Sequence, residues 1–129
     1  MKLLLDTHLL LWVAADHPAL PDEARAVIED EDNQLYFSVA SMWEIVIKSS
    51  LGREDFQVDA RVLRRSLIDA SYEELSIESH HAFEVATLPA LHRDPFDRLL
   101  VGQAISEGIV LLTHDDQIKR YDFAPVRYV

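Results

Sequence analysis

The sequence predicts an α/β fold, a single domain over residues 1–129 in which a central parallel sheet has helices on both faces. Short apolar segments alternate along the chain with longer segments whose apolar residues recur at helical spacing. The first apolar segment, Lys2–Asp6, is continuous and ends at a carboxylate, which is typical of a strand buried on both faces. Strands that alternate with helices form βαβ units and parallel sheets. No repeat, linker or low-complexity segment divides the chain.

The first half of the chain is predicted to contain two strands and four helices. The segment Asp16-His17-Pro18 ends the first helix, and Pro21 suits the first turn of the second. Ser38 or Ser41 caps the third helix, and Asp59 caps the fourth. The predicted bounds are a strand at Lys2–Asp6, helices at His8–Ala15 and Pro21–Glu29, a strand at Leu35–Ser38, a helix to Ser49 and a helix at Ala60–Ala70.

The second half is predicted to contain three strands and three helices. Asp94 and Pro95 form a strong helix start, because aspartate caps helix N-termini and proline fits the first turn. The predicted bounds are a short strand at Glu74–Ile77, a helix to Ala86, a helix from Pro95 to Glu107, a strand at Ile109–Thr113, a helical turn at Asp116–Arg120 and a strand at Val126–Val129.

The composition excludes several classes of function. The 129 residues include no cysteine, which removes disulfides, thiolate zinc sites and cysteine nucleophiles. No stretch approaches the roughly 20 apolar residues of a membrane span, and the first apolar run is broken at Asp6, far short of a signal peptide's core. We therefore expect a cytoplasmic protein without a membrane anchor. The net charge of −11 argues against binding of nucleic acid by simple electrostatic attraction.

The charge is unevenly distributed along the chain. Residues 16–32 contain seven acids and one base, whereas residues 48–65 contain five bases and three acids. One interpretation is that both segments are solvated helix faces. The other is that the second segment is a basic flank beside an acidic pocket, which would guide a phosphate backbone past the acids. The bases of this flank are Lys48, Arg53, Arg61, Arg64 and Arg65.

Three aspartates are candidate site residues, and two of them, Asp6 and Asp115, are expected at the rim of the sheet where ligands bind. Asp6 ends the first predicted strand, and Asp115 follows the strand Ile109–Thr113 by two residues. Ligands of open α/β sheets bind outside the carboxyl ends of the strands. Asp97 occupies the first position of the apolar stripe of its helix, so its carboxylate points inward, where a charge needs a partner. The alternative is that each aspartate only caps a helix or interacts with its dipole.

Glu44 belongs to a polar stripe on an otherwise apolar helix. It follows Ser41 by three residues, which matches a capping box, and precedes Lys48 by four, which matches a helix ion pair. Because the other residues of the helix are largely apolar, the stripe is expected to face a polar cavity or groove rather than open water.

The four acids together predict a site for a divalent metal ion. Two carboxylates about 4 Å apart repel by about 4 kcal/mol at an effective dielectric constant near 20, so four in one pocket require protonation or a cation. Oxygen-only, anionic ligands suit Mg²⁺ or Mn²⁺ better than zinc. Such ions activate water and neutralise phosphoryl oxygens, often as a pair.

At these residues the chain resembles the PIN-domain ribonucleases, and among them the VapC-type toxins of bacterial toxin–antitoxin pairs. The resemblance covers essentially the whole chain, and the order and spacing of its four segments make it specific. These segments are Leu3-Leu4-Leu5-Asp6-Thr7-His8, Ser38-Val39-Ala40-Ser41-Met42-Trp43-Glu44-Ile45, His92-Arg93-Asp94-Pro95-Phe96-Asp97-Arg98-Leu99-Leu100 and Leu111-Leu112-Thr113-His114-Asp115.

The resemblance implies a three-layer α/β/α domain whose parallel sheet has the strand order 3-2-1-4-5. It also implies endonucleolytic cleavage of RNA by water that one or two Mg²⁺ or Mn²⁺ ions activate. The partners that it implies are an RNA substrate, a small DNA-binding antitoxin that plugs the site, and commonly a second copy of the chain in a homodimer.

The resemblance also assigns roles to eight residues by position. The four acids are metal ligands: Asp6 and Asp97 as principal ligands, Glu44 as a ligand or as the group that orients the attacking water, and Asp115 as the fourth acid. Four neighbours support them, Thr7 and Thr113 by hydrogen bonds to the carboxylates, and Asp94 and Asp116 by capping and support.

Several alternatives stay open or are set aside on the residues alone. A haloacid-dehalogenase-like phosphatase needs a second aspartate two residues after Asp6, where this chain has His8. A zinc site using His8 and His114 lacks the usual histidine spacing. A catalytically silent binding module and a structure-selective DNA nuclease both remain possible. His80 and His81 are expected to be surface residues, and His92 is expected to make a contact within a loop.

Overall fold

The computed structural model describes residues 1–129. Its five parallel strands form one sheet in the order β3-β2-β1-β4-β5. The strands are β1 (Lys2–Leu5), β2 (Gln34–Ser38), β3 (Glu73–Leu75), β4 (Val110–Thr113) and β5 (Val126–Tyr128). This architecture confirms the predicted three-layer α/β/α fold and its strand order.

Seven helices connect the strands. Asp6 caps α1, Ser38 caps α3 and Asp59 caps α4 through side-chain oxygens that accept backbone N–H groups of the first turn. The helices are α1 (Thr7–Ala14), α2 (Asp22–Glu29), α3 (Val39–Ser49), α4 (Ala60–Asp69), α5 (Ser79–Val85), α6 (Pro95–Glu107) and α7 (Asp116–Lys119). None of them has both the length and the apolar character needed to cross a lipid bilayer.

The core lies on both faces of the sheet, as the apolar sequence of β1 predicts. Successive side chains of a strand point to opposite faces. Leu3 and Leu5 accordingly belong to one apolar cluster with residues of α1, α2 and α4, whereas Leu4 belongs to a second cluster with residues of α6 and β4. All three leucines are fully buried. This burial on both faces fixes β1 at the centre of the sheet and therefore fixes the position of Asp6.

Helix α6 has the predicted bounds because its two ends carry strong local signals. The Asp94 carboxylate accepts the backbone N–H groups of Phe96 and Asp97, and Pro95 occupies the first turn. The helix ends at Gly108, which has a φ of 63°, a left-handed conformation that glycine adopts without a steric penalty.

The packing of α5 against α6 corrects the prediction that His81 is a surface residue. His80 is exposed, as predicted, but His81 is completely buried. Its Nδ1 accepts the backbone N–H of Glu78 at 2.9 Å, and its Nε2 lies 2.8 Å from Glu107 Oε1. The helices approach closely at Gly102, where an added Cβ would lie 2.9 Å from Val85 Cγ2. His81 is therefore a structural residue that joins two helices.

Most other differences from the predicted bounds are one or two residues at element ends. The strand β1 ends at Leu5, so Asp6 is the first residue after it and caps α1. Ser38 caps α3, and Ser41 lies within this helix, so the capping-box interpretation of Ser41 and Glu44 is wrong. β3 lies at Glu73–Leu75, slightly before the predicted segment.

Candidate active site

The candidate site lies at the carboxyl ends of the central strands. Asp6 directly follows β1, and Asp115 follows β4 by two residues. β1 and β4 are neighbours in the sheet, so both aspartates are at the same rim. Glu44 lies on the second turn of α3, the helix that begins where β2 ends, and Asp97 lies in the first turn of α6. The topology therefore directs all four acids toward one edge of the sheet.

Asp6 is a buried carboxylate that neutral donors hold in place. Its residue is 2% exposed, its Oδ1 accepts the backbone N–H of Leu9 at 2.8 Å, and its Oδ2 accepts the hydroxyl of Thr113 at 2.5 Å. Burial raises the pKa of Asp6, the two hydrogen bonds lower it, and the charge of Asp115 raises it further. The net shift is upward, so this carboxylate is poorly compensated as an anion.

Asp115 lies beside Asp6 and is connected to it through Thr113. The Thr113 hydroxyl donates to Asp6 and accepts the backbone N–H of Asp115 at 3.0 Å. Asp115 Oδ1 in turn accepts the backbone N–H of Gln117 at 2.7 Å, so Asp115 caps α7. The capping interpretation is therefore correct for Asp115 as well as for Asp6. Capping uses one carboxylate oxygen of Asp115, and Oδ2 makes no hydrogen bond within the protein.

Glu44 is also buried, but its charge is balanced by a lysine. The residue is 3% exposed, its Oε1 accepts the Thr7 hydroxyl at 2.7 Å, and its Oε2 lies 2.5 Å from Lys48 Nζ. Burial tends to lower the pKa of Lys48, but the contact with Glu44 and the charges of Asp94 and Asp97 raise it overall. Lys48 thus acts as a cation within the acidic site, and the predicted polar surroundings of Glu44 are present.

Asp97 has a strongly raised pKa. Burial raises its pKa to about 7, and the neighbouring charges of Asp94 and Glu44 act in the same direction, whereas the hydrogen bond from His92 opposes them. His92 Nε2 lies 2.7 Å from Asp97 Oδ2. Because His92 Nδ1 accepts the backbone N–H of Arg93, a neutral His92 ring carries its hydrogen on Nε2 and donates it to Asp97.

The acids form two groups at this edge. Asp6 and Asp115 interact with each other, and Asp97 interacts with Glu44 and Asp94. Thr7 links the groups, because it follows Asp6 and donates to Glu44. The ligand atoms of His92, Asp94 and Asp97 all lie within 4.8 Å of one another. Asp116, in contrast, is exposed in the first turn of α7.

The donor set fits a hard divalent cation. The four acids offer only carboxylate oxygens, two of them are nearly fully buried, and Asp6 and Asp97 have raised pKa values for which burial is the largest cause. A cation bound between them would offset this desolvation and repulsion. Ligands of this type suit Mg²⁺ or Mn²⁺. His8 and His114, the pair considered for zinc, each lie against the ring of Trp12 instead.

The predicted basic flank is partly neutralised by ion pairs. Lys48 contacts Glu44 inside the site, Arg53 pairs with Asp55, and Arg64 pairs with Glu74. Arg61 and Arg65, both on α4, are exposed. Sequence reasoning missed the contact between His92 and Asp97, for which the only sequence signal was the position of His92 five residues before Asp97. The resemblance implied that Thr7 donates to a carboxylate of the site, and the structure shows that its partner is Glu44.

With this geometry established, comparison with known families identifies the class of protein. The model of the PIN domain family matches residues 3–124. The chain therefore belongs to the PIN domain family. Comparison of the sequence with curated proteins finds no match.

Solved structures share the fold over nearly the whole chain. VapBC2 from Rickettsia felis was solved bound to a DNA fragment from the VapBC2 promoter. It is 17% identical to this chain with a TM-score of 0.70, and the match covers 99% of this chain and 98% of that chain. DNA-bound VapBC from Salmonella typhimurium is 15% identical with a TM-score of 0.69, over 99% and 98%. VapBC-5 from Mycobacterium tuberculosis, of the VapBC family of toxin-antitoxin systems, is 21% identical with a TM-score of 0.66, over 99% and 97%. At these identities the likeness shows the fold alone.

Proposed function

We propose that this protein is an Mg²⁺- or Mn²⁺-dependent endoribonuclease that acts in the cytoplasm as the toxin of a toxin–antitoxin pair. Asp6, Glu44, Asp97 and Asp115 hold one or two ions. When bound, such an ion lowers the pKa of a water molecule and neutralises charge on the phosphate that is cleaved.

The observation that carries the proposal is the concentration of buried negative charge at the carboxyl ends of β1 and β4. A carboxylate buried to 2% exposure and a second whose pKa is raised to about 7 are costly in a protein that needs them only for its fold. Residues with shifted pKa values at the ligand-binding rim of an α/β sheet are typical of functional sites.

Neighbouring residues hold the four acids in position. The Thr113 hydroxyl and the Leu9 N–H fix both oxygens of Asp6, and Thr7 fixes Glu44 Oε1. Asp94 aligns the first turn of α6 by accepting the N–H of Asp97 at 3.2 Å, and His92 orients the Asp97 carboxylate. Lys48, which contacts Glu44 Oε2, would supply a positive charge for a phosphate oxygen of the substrate. Asp116 supports the start of α7 through the helix dipole.

The partner proposed first is an antitoxin. The solved relatives named above are complexes of toxin–antitoxin systems. An apolar groove of about 340 Å³ between α1 and α4, lined in part by Leu11, Ala14 and Val62, would accept apolar side chains of such a partner. Leu9 and Leu10 of the same helix are buried in the core, so they leave no apolar surface for a partner.

The second partner proposed is another copy of this chain. Trp43 and Val46 lie on α3 and are 57% and 47% exposed, which leaves a large apolar surface beside the site. A homodimer that covered this face would remove it from water.

The test is a cleavage assay combined with thermal unfolding. Wild-type protein with millimolar Mg²⁺ or Mn²⁺ is expected to cut single-stranded RNA internally, and Asp6→Asn to reduce the rate by on the order of 100-fold or more. The metal is expected to raise the Tm of the wild type, since occupancy at 100 times the dissociation constant stabilises by about 2.7 kcal/mol. Asp6→Asn is expected to remove this rise in Tm. The control is Asp69→Asn, which changes an exposed acid at the end of α4 and is expected to keep both the rise in Tm and the cleavage activity.

The outcomes separate the competing functions. A metal-induced rise in Tm without cleavage of any nucleic acid would show that the protein is a catalytically silent binding module and not a nuclease. Cleavage of structured DNA but not of RNA would make the protein a DNA nuclease. A Tm indifferent to both metals would contradict the metal site itself.

A further inference from the structure

A strip of aromatic side chains leads away from the acidic site, and we call it the aromatic strip. At its centre the indole of Trp12 lies 5.7 Å from the ring of His114 and 6.0 Å from that of His17, centroid to centroid. His8 lies 6.1 Å from Trp12 on one side, and Tyr128 stacks on His114 at 5.3 Å with an interplanar angle of 24°. Five rings thus form a nearly continuous surface.

The strip is assembled from distant parts of the chain. His8 and Trp12 are one turn apart on α1, His17 follows that helix, His114 follows β4, and Tyr128 ends β5. The rings remain partly accessible, since His8 and His17 are exposed and the other three are half-buried. Core packing alone therefore does not explain the arrangement.

Hydrogen bonds on the protein side fix two of the imidazoles. His17 Nδ1 accepts the backbone N–H of Ala19 at 2.9 Å, and His114 Nδ1 contacts the backbone carbonyl of Val129. A carbonyl only accepts, so His114 carries a hydrogen on Nδ1. Both rings are therefore oriented by backbone groups while their Nε2 atoms make no hydrogen bond within the protein.

The strip shares a cavity with the acidic site. A cavity of about 360 Å³ is lined by His8, Trp12, His114, Asp115 and Asp116. Asp115 is one of the four acids of the proposed metal site, so a ligand seated on the strip extends directly from that site. Trp12 is the only hydrophobic residue in this lining. An apolar anchor of a protein partner would match it poorly, whereas a nucleobase offers a flat π-face together with N–H donors for the carboxylates.

We propose that the aromatic strip binds unstacked bases of single-stranded RNA next to the phosphate that is cleaved. This inference rests on the proposed function and adds how the substrate is held. A chain of net charge −11 gains little from general attraction to phosphates. Stacking of bases on aromatic rings needs no charge and tolerates any base sequence. Lys119, whose Nζ lies 4.4 Å from the centroid of the Tyr128 ring, supplies a cation for the backbone at the far end.

Binding of a short single-stranded RNA to Asp6→Asn protein, in which cleavage is blocked, tests the proposal. Trp12→Leu and His17→Ala in this background are each expected to raise the Kd by between about 5-fold and 100-fold, the range for loss of one stacked base. Phe83→Leu, which alters a 72% exposed ring on α5, is the matched control and should leave the Kd unchanged. An oligomer of the same length without bases is expected to bind weakly and equally to all three variants.

Tryptophan fluorescence gives an independent measurement. The chain has two tryptophans, so Trp43→Phe leaves Trp12 as the only one. RNA is expected to quench its emission, and the oligomer without bases is not. His17→Ala changes an exposed residue, so it keeps the test valid if Trp12→Leu fails to fold.

Several results would overturn the proposal while leaving the proposed function intact. Unchanged Kd and KM in folded Trp12→Leu and His17→Ala enzymes that still cleave RNA would show that the strip does not hold substrate. Equal quenching by the oligomer without bases would also contradict stacking. If the variants lost affinity only for a peptide of the antitoxin, the strip would be a protein-docking surface instead. Conversely, if RNA quenched the tryptophan fluorescence of the protein but was not cleaved by it, the proposed function would be contradicted and RNA binding by the aromatic strip would be supported.

Discussion

The two groups of acids at the sheet edge differ in how their negative charge is balanced. In the Asp6 group, Asp6 and Asp115 receive hydrogen bonds from neutral donors, the Thr113 hydroxyl and backbone N–H groups. In the Glu44 group, Glu44 contacts the ammonium of Lys48 and Asp97 contacts the ring of His92. The first group is thus held by the hydroxyl of Thr113 and by backbone N–H groups of α1 and α7, and the second by the side chains of Lys48 and His92.

This difference indicates which group should respond to conditions. Backbone donors cannot move away or change their charge, so the Asp6 group keeps its geometry whether or not a cation is present. Lys48 is a long, partly exposed side chain that can move away, so the Glu44 group can adjust when a metal ion or a substrate arrives. We therefore expect a metal ion to alter the contacts of the Glu44 group, pH to act on Asp97, and loss of a hydrogen bond to act mainly on Asp6.

The largest effect is expected for the pH dependence of the metal-free protein. The pKa of Asp97 is raised from 3.8 to about 7, so between these values the folded state keeps a proton that the unfolded state has lost. The stabilisation is therefore complete below pH 4 and is lost as the pH rises toward 7. Each pKa unit corresponds to about 1.4 kcal/mol, so the loss is on the order of 4 kcal/mol. Urea unfolding in a chelator across this range measures it.

The variant Asp97→Asn provides the control for this prediction. It has no proton to lose, so its free energy of unfolding is expected to fall less than that of the wild type over the same range. The pKa of Asp6 is also raised, and this remaining carboxyl contributes in the same direction. If the free energy of unfolding fell equally with pH in the wild type and the variant, the pKa of Asp97 would not be raised in the folded protein.

The next largest effect is expected for Thr113→Val, which breaks the Asp6 group. Valine has nearly the shape of threonine but leaves Asp6 Oδ2 and the Asp115 N–H without their partner. Loss of a buried hydrogen bond to a charged group is expected to lower the free energy of unfolding by about 1–3 kcal/mol. Denaturant unfolding measures this change, and Thr113→Ser, which keeps the hydroxyl, should retain most of the stability.

The same substitution at Thr7 sharpens the comparison. Thr7→Val removes the donor to Glu44 Oε1, but Lys48 still contacts Oε2. We expect a smaller loss than for Thr113→Val. A larger loss at Thr7 would reverse our view of which group depends on hydrogen bonds.

Removal of the cation in Lys48→Met is expected to have an effect of about 1 kcal/mol in the absence of metal. Glu44 is buried, but the Lys48 side chain is 40% exposed and partly screened by water, which limits the loss. Because the lysine no longer competes for Glu44, Mg²⁺ is expected to raise the Tm more in this variant than in the wild type. Thermal unfolding with and without metal measures both effects. Lys48→Arg, which keeps the charge, should behave like the wild type, and an equal metal response in all three proteins would count against this competition.

The elements that could be predicted from sequence are those with strong local signals. The bounds of α6 were correct because Asp94, Pro95 and Gly108 mark both ends chemically. The strand β3 was shifted because its three residues include two glutamates and carry little apolar pattern. His81 was misplaced because its burial depends on the approach of α6 at Gly102, a contact between elements that no local pattern records.

The same distinction applies to the site. Asp6 and Asp115 were placed at the rim because each follows an apolar strand, and the contact of Glu44 with Lys48 follows from helix spacing. The contact of Thr7 with Glu44 joins α1 to α3 across 37 residues and depends on how these helices pack. The residues of the aromatic strip were visible in the sequence only as scattered aromatic residues, because their proximity depends on how four separate segments of the chain pack together.

The smallest effect is expected from the basic flank on α4. Arg61 and Arg65 are exposed, and this helix packs beside α3, which carries Glu44. Arg61→Glu and Arg65→Glu are each expected to weaken RNA binding about threefold and to reduce the slope of log Kd against log salt by about 0.7 for each phosphate that is no longer neutralised. Binding titrations at several salt concentrations measure both quantities. Arg25→Glu is the matched control. It reverses a charge in the acidic segment of α2 and raises the net negative charge of the chain by the same amount, but it lies outside the basic flank. An equal loss of affinity in all three variants would show that only the net charge matters, and the residues of α4 would then have no special role in guiding RNA.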